Sequence, residues 1–114
     1  MSTESNMIES PQTQPTEEKT RYRVTPRYGM WHENGKWVLQ IALPGVSKEH
    51  IQIKTLDDYF QLRATRDDIL YSLDLDFNFR VEKDKTHAEY KEGLLKIEFT
   101  KYDPLQHAYE VKIE

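Results

Sequence analysis

The side chains with chemistry to offer are few and scattered. His32, His50, His87 and His107 fall on four separate stretches, and no two have the His-x-x-x-His spacing that places metal ligands on one helix face. Asp57-Asp58 and Asp67-Asp68 are paired carboxylates, but each pair sits between alternating apolar runs. Aspartate is common there because it bonds its own backbone in turns, so both pairs read as hairpin turns rather than acid–base pairs. Ser72 takes an outward position on an alternating run, and Ser47 opens a turn; neither lies in a nucleophile motif. Asp74-Leu75-Asp76-Phe77-Asn78 matches the first half of a calcium loop. The sixth position, which needs glycine, is however Phe79, and the twelfth, which needs glutamate, is Lys85. The absence of cysteine excludes disulfides, thiol catalysis and zinc–thiolate sites. The four glycines are isolated, so no phosphate-cradling loop is present. The expectation is a protein that is not an enzyme, needs no cofactor or metal, and works through surfaces and strand edges.

Composition narrows the partners. A chain of 114 residues has room for one domain. Its formal charge is −4, and the first twenty residues carry four Glu against one Lys, with only Met1, Met7 and Ile8 as apolar residues. Such a segment cannot bury enough apolar surface to offset its ordering entropy, so residues 1–26 are expected to form a disordered polar arm. The remainder is nearly neutral. Its one basic cluster, Arg21, Arg23 and Arg27, reads as a solvated arm, and no nucleic-acid partner is expected. The N-terminus has no basic-then-apolar leader, and no apolar run approaches the ~20 residues of a membrane span. No membrane partner and a cytoplasmic location are therefore expected.

The elements that must position anything functional are strands. Tyr28–Glu33 and residues 36–43 flank Asn34-Gly35, a strong hairpin signal because both residues tolerate positive φ. Leu43-Pro44-Gly45-Val46 breaks the second strand, and Ser47 to His50 reads as a capped turn. Residues 50–56 and 59–66 follow as strands. Apolar residues then alternate without a break from Ile69 through Tyr71, Leu73, Leu75, Phe77 and Phe79 to Val81, which predicts one long, half-buried strand over residues 69–81. A charged loop at 82–85, a strand at 86–90, a turn at Lys91-Glu92-Gly93 and a strand at 94–100 complete the pattern. A spacer at 102–108 leads to the alternating terminus Tyr109-Glu110-Val111-Lys112-Ile113-Glu114. Seven or eight short antiparallel strands with frequent turns predict an all-β sandwich.

Three segments carry a resemblance. Leu43-Pro44-Gly45-Val46-Ser47-Lys48-Glu49-His50-Ile51 resembles the "LPGv-kedI" segment of the small heat-shock proteins. Ala88-Glu89-Tyr90-Lys91-Glu92-Gly93-Leu94-Leu95 resembles their "A-x-x-x-n-G-x-L" signature, with Glu92 in the usual Asn/Asp place. Val111-Lys112-Ile113 resembles their C-terminal I/V-x-I/V motif. The resemblance implies an immunoglobulin-like sandwich of the α-crystallin type over residues 27–101, with residues 102–114 as a C-terminal extension. It implies an ATP-independent holdase that binds non-native client proteins and assembles with itself, as a homodimer or a larger oligomer. It also implies a groove lined by Ile51, Ile53 and Thr55 on one strand and Ala88 and Tyr90 on another, receiving Val111 and Ile113, usually from a neighbouring subunit. The two-residue turn Asp67-Asp68 is too short for the swapped loop of many microbial members. The expected dimer edge then runs along Tyr71, Leu73, Asp74, Asp76, Asn78 and Arg80, unless the chain is a monomer. Two alternatives stand: the tail as one more strand of its own sandwich, and a CS-domain-like adaptor for a specific native partner.

Overall fold

A computed structural model of the chain describes residues 22–114. The polar arm up to residue 21, with Met7, Ile8 and Arg21, lies outside them. Among the described residues, eight strands form two four-stranded sheets: β1 (Tyr22–Val24), β2 (Tyr28–Glu33), β3 (Lys36–Ala42), β4 (Ile51–Thr55), β5 (Tyr59–Arg66), β6 (Ile69–Asp76), β7 (His87–Lys91) and β8 (Leu94–Thr100). The order is β1-β6-β5-β4 in one sheet and β2-β3-β8-β7 in the other. This is the expected β-sandwich.

Hairpin chemistry places the turns where the sequence puts them. Asn34 and Gly35 take φ of 54° and 77°, and Glu92 and Gly93 take 52° and 82°. Both pairs thus adopt the left-handed conformations that suit the twist of the flanking strands. Asp67 does the same at 55°. The inward residues of both sheets, among them Leu39, Ile41, Phe60, Leu62, Leu73, Ile97 and Phe99, fuse into one core. Burial of this face contributes roughly 25 cal/mol per Å² of apolar surface removed from water.

Three features differ from the sequence reading. First, Tyr22–Val24, placed by composition in the arm, pair with Ile69, Leu70 and Tyr71, and they do so in parallel rather than antiparallel. All three residues of β1 are exposed, and the backbone pairing that makes them a strand leaves no trace in composition. Second, the long strand ends at Asp76 rather than Val81. Its ladder partner β5 begins at Tyr59, opposite Asp76, so the ladder runs out there. The Phe77 and Val81 N–H groups donate instead to the Asp58 and Asp57 carbonyls at 2.8 and 2.7 Å. Val81 then bridges to Lys101, so residues 77–81 cross from one sheet to the other. The apolar alternation persists through this crossing because Phe77 still packs edge-on against Phe99 and Phe79 still stacks on Trp37. Third, Ser47 precedes a single 3₁₀ turn, Lys48–His50, but its side chain makes no capping bond.

Candidate functional site

The two sequence motifs of the domain meet in space. The Leu43 N–H donates to the Gly93 carbonyl at 2.8 Å. A side chain on Gly93 would place its Cβ 3.4 Å from the Pro44 Cα, with φ already at +82°. The Tyr90 hydroxyl lies 2.7 Å from both the Leu43 and the Val46 carbonyl oxygens and shares its one proton between them. Arg66 Nη1 donates to the Pro44 carbonyl at 2.9 Å. This arginine escapes sequence reasoning because its partner is a backbone oxygen far along the chain. Pro44 and Gly45 end β3, and Tyr90 and Arg66 take up carbonyls that this loop leaves outside the ladder. The loop leads from β3 past Tyr90 of β7 into β4, and so brings β4 and β7, the outer strands of the two sheets, to one flank.

The five expected groove residues all lie on inward faces along that flank. Ile51, Ile53 and Thr55 stand opposite the buried Ala64, Leu62 and Phe60, and Ala88 and Tyr90 stand opposite Ile97 and Leu95. Ile51, Ile53 and Tyr90 are half-buried against the core. Ala88 is exposed although it faces inward. Two of the five have further work. Tyr90 is committed through its hydroxyl to the Leu43–Val46 loop, and Thr55 Oγ1, 3.0 and 3.1 Å from the Leu56 and Tyr59 carbonyls, shares its one proton between them and closes the β4–β5 turn.

The tail is left exposed. Residues 109–114 adopt no regular structure, and Tyr109, Val111 and Ile113 are 86%, 74% and 95% exposed. The structure therefore does not place Val111 and Ile113 as a further strand of their own sandwich.

The expected dimer edge divides. Tyr71 and Leu73 are buried and belong to the core, so their side chains are not edge contacts. Asp74 accepts two bonds from Arg63, at 2.8 and 3.3 Å, and that guanidinium holds its carboxyl below the usual carboxylate range. Asp76 is exposed at the strand end, and Asn78 and Arg80 fall on the crossing segment, off the ladder. Arg80 donates to Asp57 at 3.2 Å. Asp57 also takes Lys83 at 3.3 Å, and these two cations lower its carboxyl, Arg80 foremost. Asp57 thus ties the β4–β5 turn to the crossing segment, and Asp57-Asp58 is a turn as expected. Among the described residues no group of three or more His, Cys, Asp or Glu side chains is arranged to hold a metal ion, and no helix is long and apolar enough to cross a membrane.

With this geometry in view, comparison with known proteins is direct. The sequence matches the family described as "Hsp20/alpha crystallin family" over residues 29–114. No curated protein matches the sequence. Among solved structures, heat shock protein 16.0 from Schizosaccharomyces pombe superposes with a TM-score of 0.66 at 16% identity, covering 81% of this chain and 77% of that one. A small heat-shock protein from Xylella fastidiosa, described as having a distinct high order structure, gives 0.64 at 16% identity, covering 80% and 95%. One from Synechococcus phage S-ShM2 gives 0.55 at 19% identity, covering 80% and 100%. At these identities the solved structures establish the fold.

Proposed function

The chain belongs to the Hsp20/alpha crystallin family, and from that premise we propose that it is an ATP-independent holdase that binds non-native proteins and assembles with copies of itself through its C-terminal segment. One observation carries the reading: a flank of inward-facing apolar residues between two outer strands, together with a tail whose two aliphatic side chains find no burial on their own chain. The groove of Ile51, Ile53 and Ala88 accepts Val111 and Ile113 of a neighbouring copy, or the apolar side chains of an unfolding client. Burying each aliphatic knob contributes about 1.5–3 kcal/mol before ordering costs. Contacts this weak exchange, and exchange leaves the groove intermittently open.

The test is suppression of aggregation of a heat-labile protein, read by light scattering without ATP. Suppression at an equimolar ratio is the expected result. A folded chain that gives no suppression would sink the holdase reading and favour an adaptor for a native partner.

A further inference from the structure

The residues between the last strand and the tail are held to the domain. The Tyr102 N–H donates to the Arg80 carbonyl at 2.9 Å. The Arg80 guanidinium lies over the Tyr102 ring, 4.3 Å from its centre. The Tyr102 ring in turn stacks on His107, with centres 5.0 Å apart and planes 7° apart. His107 Nε2 lies 2.8 Å from Glu82 Oε2. The Glu82 side chain is only 15% exposed, so this acceptor is largely shielded. Its bond to His107 holds the Glu82 carboxyl below the usual range. Between Tyr102 and His107 the chain makes one 3₁₀ turn, Pro104–His107, which Asp103 opens by accepting the Leu105 N–H at 3.0 Å.

This turn does little for the core. None of its residues is buried, and Leu105 is 81% exposed. What its polar and ring contacts do is hold a spacer that apolar burial does not hold. The consequence is reach. From His107 the chain needs four residues to Val111, about 14 Å when extended; from Lys101 it needs ten, about 35 Å. A tether shortened this way excludes distant grooves and raises the effective concentration at near ones.

We propose that the Glu82–His107 pair and the Arg80–Tyr102–His107 stack form an anchor that sets the reach of the C-terminal docking segment. Glu82, Tyr102 and His107 are thus positioning residues for assembly. The inference rests on the tail-docking reading above, and its test separates the two. In the full chain, His107→Ala removes both the ring stack and the contact with Glu82. His107→Arg supplies a planar group able to stack on Tyr102 and donate to Glu82. Hydrogen exchange at the Leu105, Gln106 and Ala108 amides is expected to accelerate about five- to tenfold in His107→Ala and to return towards the parent rate in His107→Arg. Native mass spectrometry is expected to show a broader distribution of assembly masses for His107→Ala alone. Parent-like amide exchange in His107→Ala, or released amides with an unchanged mass distribution, would overturn the anchor. A parental mass in Val111→Ala/Ile113→Ala would overturn the docking reading itself, and with it the anchor's role in assembly.

Discussion

Two regions of this chain carry family-like motifs and treat their residues in opposite ways. At the Leu43–Val46 loop and the Tyr90–Gly93 turn, polar and apolar groups close on one another inside the domain: Leu43 is wholly buried, and Tyr90, Arg66 and Gly93 take the loop's backbone groups. At the C-terminal segment, Val111 and Ile113 are 74% and 95% exposed. The difference teaches how to read a motif physically. One whose bonds close within the chain serves folding, and its loss is felt in stability. One whose apolar groups are left over serves a second molecule, and its loss is felt in assembly.

The contrast breaks most visibly at Leu43. Leu43→Ala empties a fully buried site in the loop and should cost about 2–5 kcal/mol of unfolding free energy by denaturant titration. A loss below 1 kcal/mol would mean that the loop is not part of the core. Tyr90→Phe keeps the ring and removes the proton shared by two carbonyls. It should cost about 1–2 kcal/mol in the same measurement, and parent-like stability would show that solvent replaces the hydroxyl. For the tail the opposite pattern is expected. Val111→Ala/Ile113→Ala should leave the domain's unfolding free energy within about 0.5 kcal/mol of the parent while lowering the mass seen by light scattering. A large stability loss would place the segment on the folding side of the contrast.

The smallest effect concerns Asp74, expected from sequence at an interface and found paired within its own sheet. Its carboxyl is lowered by Arg63, so the folded value lies below the unfolded one. The pair therefore adds stability above the unfolded value, roughly 3.9, and loses it as pH falls through the folded value. With the Asp74 side chain 45% exposed, solvent screening keeps the contribution under about 1 kcal/mol. An NMR titration of Asp74 should move up towards the ordinary value in Arg63→Gln; an unmoved titration would show that Arg63 is not its cause.

What the amino-acid sequence determined by itself is local and periodic. Two-residue alternation located β2, β5 and β8 to the residue, because the side-chain period of a strand is a property of the backbone alone. Asn34-Gly35 and Glu92-Gly93 located hairpins because left-handed backbone is a property of single residues. The inward parities of the expected groove residues were legible on two strands, once resemblance said which two strands to compare. Tertiary structure alone decided the rest. It ended β6 at Asp76, because a strand lasts only as long as its partner, while Phe77, Phe79 and Val81 keep alternating for packing reasons. It made a strand of Tyr22–Val24 from backbone bonds that composition does not record. It also set His107 beside Glu82 and Tyr102 beside Arg80. These contacts join residues more than twenty positions apart, and no local pattern of spacing encodes a meeting that the path of the whole chain arranges.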